Sequence, residues 1–126
     1  MSQGVAAMKP TEIKKLQRRS HNLMVRRIAP NTLVVMSRSN AYAQHIVTIE
    51  TEPGGTIRAR CTCPWAQNGG YGCSHVMASL NYLADKQRRA ISFWSDLQEA
   101  KRQRHRILRL AGNAPDGDIY ITSRPA

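Results

Sequence analysis

Apolar and polar positions change their period several times along the chain. Ile13 and Leu16 share one face of a segment whose other faces carry Lys14, Lys15, Arg18 and Arg19. That pattern predicts a short basic amphipathic helix over 11–20, with Thr11 as N-cap and Glu12 in the first turn. Residues 1–10 read as a flexible lead-in. Leu23, Met24, Val25 and Ile28 fit a helix or a strand equally well, and Pro30 ends either one. The apolar run 33–36 predicts a buried strand, followed by a turn over 37–40. Residues 42–51 give the clearest strand, with Ile46, Thr48 and Glu50 alternating against Val47 and Ile49. Glu52-Pro53-Gly54-Gly55 predicts a hairpin turn, since proline presets φ and glycine permits positive φ. Residues 56–62 return as the second hairpin strand.

Downstream, Val76, Leu80 and Leu83 recur at helical spacing and predict a helix over 74–87 that packs on the hairpin. Lys86, Arg88 and Arg89 close it with cations, which favour a helix C-terminus. Residues 90–94 read as an apolar bridge that docks on the core. Ser95-Asp96-Leu97-Gln98 has the form of a capping box with Ser95 as N-cap. A helix is predicted from there to about Leu110, stopping before Gly112-Asn113. Pro115-Asp116-Gly117 is a turn. Residues 119–122 read as a short strand on the hairpin sheet edge, as a strand added to a partner's edge, or as part of a disordered tail.

Chemistry concentrates in the middle of the chain. Cys61-Thr62-Cys63 is followed, after nine residues, by Cys73-Ser74-His75, and these are all three cysteines. Residues i and i+2 of a strand share a face, so Cys61 and Cys63 can aim both thiolates at one metal. Cys73 and His75 complete a four-ligand set suited to one structural Zn²⁺. Pro64 stops the strand ladder, Trp65 can roof the site, and Gly69, Gly70 and Gly72 let the loop turn back. The competing readings are buried thiols or a redox disulfide, and a cysteine pair would leave the third without a role. His45 reads as an ordinary polar strand residue, since four ligands are already present.

These residues resemble the SWIM zinc finger, with its C-x-C, variable loop and C-x-H on a strand–loop–helix. The resemblance covers roughly 33–85, including Val34, Val35 and Ser37, the strand around 42–50, and the run from Arg60 to Pro64. Ser74 departs from the family, where a basic residue is frequent between the last two ligands. The resemblance implies zinc and a role in nucleic-acid transactions or protein contacts, without implying one activity.

Charge sharpens the picture. The 126 residues hold 19 Lys and Arg against 8 Asp and Glu, a net charge of +11. Zinc bound by three thiolates leaves about +10. That balance favours polyanions, nucleic acid first. Arg102, Arg106 and Arg109 would share one face of the last predicted helix, flanked by Lys101, Arg104 and His105. Like charges at that spacing repel, and an anionic partner would offset the repulsion. The N-terminal helix reads as a solvated surface or as a second phosphate-contacting element.

Other chemistry finds no support in the sequence. No phosphate-cradling glycine motif, acidic cluster or activated nucleophile is present, and four protein ligands leave zinc no open position, so no enzyme is expected. No long apolar run or secretory leader appears, and zinc-bound thiolates suit a reducing interior, so the expectation is an intracellular protein.

The expected fold is α+β: a small zinc-stapled antiparallel β-hairpin sheet packed on a helix, with flanking basic helices. The expected divisions are a basic helical segment 1–30, the zinc-binding domain 31–90, a basic helix 91–112, and a tail 113–126. The function this supports is a nucleic-acid-binding accessory protein, with DNA ahead of RNA, inside a larger processing assembly with a protein partner. Phosphate contacts are assigned to Lys14, Lys15, Arg18, Arg19, Lys101, Arg102, Arg104, Arg106 and Arg109. No membrane and no small-molecule substrate are expected. The alternative is a zinc-stapled protein-interaction adaptor without nucleic-acid contact. A weaker third reading is a redox or zinc sensor.

Overall fold

The computed structural model describes residues 10–37, 43–63, 73–111 and 119–126. In chain order they form α1 (Pro10–Ser20), β1 (Leu23–Ala29), β2 (Thr32–Ser37), β3 (Gln44–Glu52), β4 (Thr56–Cys61), α2 (Ser74–Lys86), β5 (Arg89–Trp94), α3 (Leu97–Arg102), β6 (Arg106–Ala111) and β7 (Ile119–Pro125). All seven strands join one curled sheet in the order β1-β2-β3-β4-β6-β7-β5. The fold is α+β, as expected, but its sheet is far larger than a hairpin.

Alternation decides which face meets the helices. Leu33 pairs with Val47, and Val47 with Cys61, so the three point to one side and all are buried. Val35, Ile49 and Ile57 join them, and Ile57 pairs with the buried Leu110 of β6. α2 lays Val76, Met77 and Leu80 on this face, all buried, with Leu83 half-buried beside them. The undecided segment at 23–29 is a strand. Leu23 and Val25 face the core, while Met24 and Arg26 face out.

α1 covers the far edge of the sheet. Ile13 is fully buried, and Gln17 Oε1 accepts the backbone N–H of Phe93 on β5 at 3.2 Å. Asn81 of α2 donates to Ser20 Oγ at 3.3 Å. An edge strand exposes unpaired backbone groups, and here a helix side chain satisfies one of them.

The helix expected up to Leu110 is corrected: α3 ends at Arg102, and 106–111 is strand β6. The run of like charges from Lys101 to Arg106 disfavours a helix at i,i+3 and i,i+4 spacing. Arg104 adopts φ 55°, which turns the chain out of the helix. β6 then gains ladders on both sides, parallel to β4 and antiparallel to β7. Tertiary pairing outweighs local helix propensity. The N-cap is also corrected from Ser95 to Asp96, whose Oδ1 accepts the Gln98 N–H at 2.9 Å.

The apolar bridge at 90–94 is strand β5, paired along its length with β7. β7 itself is neither a hairpin-edge strand nor a tail. It lies between β6 and β5, with Ile119 and Ile121 buried. α1 begins at Pro10, so Thr11 sits inside its first turn. The expected lead-in at 1–9, the turn residues 38–40, the loop residues Pro64, Trp65, Gly69, Gly70 and Gly72, and the turn signals at 112–117 lie outside the described residues. No helix among the described residues is long and apolar enough to cross a membrane.

The hairpin turn holds the two halves of the sheet together. Gly54 and Gly55 have φ of 90° and 84°, and the Gly55 carbonyl accepts the Arg109 N–H at 2.9 Å. A Cβ on Gly55 would lie 3.2 Å from Leu108 Cδ2, whereas one on Gly54 would meet open space. Gly54→Ala is therefore expected to cost about 1 kcal/mol from the backbone alone, and Gly55→Ala about 2 kcal/mol. Urea unfolding of both variants at saturating zinc checks the order.

Candidate metal centre

The four predicted ligands converge. β4 delivers Cys61 at its last residue. Thr62 then continues the ladder by one step: its N–H donates to the Ile46 carbonyl at 3.1 Å, and its Oγ1 accepts the Ile46 N–H at 3.0 Å. With Thr62 held in this way, Cys61 and Cys63 fall on the same inner side. Cys73 occupies the N-cap of α2 with extended backbone, and its carbonyl accepts the Met77 N–H at 3.1 Å. Its side chain makes no capping bond to the helix, which leaves the sulfur for another role. His75 follows in the first turn, where the Ser79 hydroxyl bonds its carbonyl at 2.9 Å.

The ligand atoms of Cys61, Cys63, Cys73 and His75 all lie within 4.8 Å of one another. Thiolates bound at about 2.3 Å around a tetrahedral zinc lie about 3.8 Å apart, so this cluster fits the ion. The three cysteines are buried and none is in a disulfide. His75 Nδ1 is buried with no hydrogen-bond partner, alone in this among side-chain atoms of the described residues. Such an atom is costly unless something takes its lone pair, and a zinc ion would do so. The donor set is consistent with one structural zinc.

Electrostatics favour thiolates here. A hydrogen bond from Cys73 holds the Cys61 thiol down at about 4, against burial, which raises it. The bond to Cys61 pushes the Cys73 thiol well above its usual range, and burial adds to the rise. The pair thus shares one proton that a metal must displace. The nearby backbone at Cys63 favours the charged form of Cys61, and that at Val76 the charged form of Cys73. The start of α2 carries no acidic side chain, so its dipole is free to favour the thiolate.

Residues 45–84 match the family model of the SWIM zinc finger. This segment is a SWIM zinc finger. The match runs from the start of β3 almost to the end of α2, about a third of the chain. β2, included in the expected resemblance, lies outside it, as do α1, β1 and everything from β5 onward. No curated protein and no solved structure matches the chain.

The basic residues assigned to phosphate contacts do not converge as the ligands do. Lys15, Arg18 and Arg19 are exposed on one side of α1. Lys14 instead lies 3.6 Å from the centre of the Trp94 ring, and burial lowers its pKa. Arg102 pairs with Glu99 at 2.9 Å at the end of α3, near the exposed Lys101 and Arg104. Arg106 and Arg109 are three apart on β6 and so project to opposite faces. The stripe expected of Arg102, Arg106 and Arg109 does not form.

One neighbour of the SWIM site was not assigned to it. The His45 ring lies 4.4 Å from the His75 ring, tilted by 49°. The contact follows from strand register: His45 shares a strand face with Val47, which pairs with Cys61.

One zinc per chain is expected by elemental analysis. Structural zinc binding contributes about 10–16 kcal/mol in small zinc modules, comparable to the whole stability of a domain, so chelation is expected to abolish the cooperative unfolding transition. Because a proton leaves Cys73 on binding, affinity rises with pH. A gain of about tenfold is expected between about pH 6 and about pH 7 for each proton displaced, read by chelator competition.

Proposed function

We propose that the protein is a non-catalytic, intracellular, nucleic-acid-binding accessory factor. The SWIM zinc finger is its structural centre and basic surfaces supply phosphate contacts, with duplex DNA preferred over RNA. The net charge of +11 carries this reading. The three carboxylates Glu50, Glu52 and Glu99 pair with Arg60, Arg58 and Arg102, so part of the small acidic complement is already engaged. Most of the positive charge is left to face solvent, where a polyanion can use it.

α1 offers the most coherent cationic surface. Lys15, Arg18 and Arg19 stand at i, i+3 and i+4, opposite the buried Ile13 and Ser20. That ridge is fixed to the core through Gln17 and Ser20, so its cations are held by a rigid element. Lys101 and Arg104 form a second, smaller group at the α3 end. Contacts of this type give affinity and positioning without reading bases.

If about six phosphates are neutralised, the logarithm of affinity should fall with the logarithm of salt at a slope near −5 on duplex DNA. The triple variant Lys15→Glu, Arg18→Glu, Arg19→Glu should flatten that slope by about 3 while zinc content is unchanged. Fluorescence anisotropy on duplex and single-stranded probes measures both. A salt-independent affinity, or a triple variant that binds normally, would move the function to the adaptor reading, in which the finger holds a protein subunit.

A further inference from the structure

The curled sheet is wider than the helix that covers it. α2 packs on β1–β5. Beside the second half of that helix, over β6 and β7, a cavity of about 560 Å³ remains, open on one side. The hairpin turn at 53–55 forms one wall. The zinc ligands sit at the opposite end of α2. The volume falls within the range of small-ligand pockets, about 300–1,000 Å³.

The lining has two distinct parts. Ile49, Ile57, Leu80, Leu83, Leu108 and Ile121 give an apolar floor. Arg89 and Arg106 also line the cavity, each on an inward position of its strand. Arg89 is fixed: its Nε donates to Ser123 Oγ at 2.9 Å and its Nη2 to the Ser123 carbonyl at 3.0 Å. Those bonds leave Nη1 for another acceptor. Among the described residues the one acidic side chain in the lining, Glu52, is already paired with Arg58 at 3.0 Å. The described lining therefore presents an apolar floor and two guanidinium groups with no spare carboxylate.

We propose that this cavity binds a small soluble amphiphile, an apolar body bearing one carboxylate. The apolar part would lie between α2 and β6–β7, and the carboxylate would meet Arg106 and the free edge of Arg89. Guanidinium groups match carboxylates in planar geometry, and an apolar surround strengthens the pairing. Nothing in this assignment depends on nucleic-acid binding. The SWIM zinc finger contributes α2 and the β3–β4 hairpin, while β5–β7, outside the family match, supply the rest of the lining.

The experiment is a methyl and amide NMR titration of the zinc-loaded full chain with decanoate below its micellar concentration. Saturable shifts confined to the lining residues are expected. Decanol, which lacks the charge, should bind about tenfold more weakly, as should decanoate to Arg106→Gln. Arg106 is exposed, so that variant is expected to fold, with zinc content as the check. Ala84→Phe, on the helix wall, should block both probes. Shifts scattered over the surface, no saturation, or unchanged decanoate affinity in Arg106→Gln would overturn the assignment. So would lining shifts that depend on protein concentration without ligand, which would place a second copy in the cavity.

Discussion

The constraint on which the rest depends is the join between the end of β4 and the start of α2. Two segments separated by nine residues must meet with their sulfur and nitrogen atoms inside one 4.8 Å cluster. That closeness fixes where α2 begins and which face it turns to the sheet. Val76 and Met77, immediately after His75, are fully buried as a direct consequence. Without a metal, the same arrangement would hold an orphaned imidazole nitrogen and a thiol pair sharing a proton in an apolar core. Such a cluster is costly unless a cation collects its lone pairs.

The join does not carry the core alone. A SWIM finger by itself is small, and small cores need a staple. Here β5–β7 add Phe93, Leu110, Ile119 and Ile121, all buried, and α1 adds Ile13. The finger is thus embedded in a larger sheet, with β4 shared between the zinc hairpin and the parallel pairing to β6. Gly55 lies at this seam, where its carbonyl bonds Arg109 and its bare Cα admits Leu108.

What the sequence made legible follows the range over which each feature is determined. The zinc ligands, the 52–55 turn, the β3–β4 hairpin and α2 are set by neighbours within a few residues, and their residue patterns point one way. The segment 95–111 is different. Its arginines and leucines fit a helix locally, and the repulsion among Lys101, Arg102 and Arg106 could be read as a sign of an anionic partner. The structure relieves much of that repulsion by leaving the helix at Arg104 and spacing the later residues along a strand. No local signal separates those two outcomes, because the deciding interactions are ladders to β4 and β7 from distant parts of the chain. His45 beside His75 and Arg89 clamped by Ser123 were hidden for the same reason: each contact depends on strand register or on a partner far away in sequence.

The same distinction separates the two ends of α2. Its first turn belongs to the zinc site and is built from a compact local motif. Its last turns face a cavity completed by β5–β7, whose order in the sheet no local pattern reveals. Yet both ends belong to one rigid helix of 13 residues. Its tilt over the sheet is set at one end by four ligand atoms and along its length by packing on α1 through Ser20 and Asn81. The cavity beside Leu80 and Leu83 therefore lies against the same helix whose first turn the metal join positions.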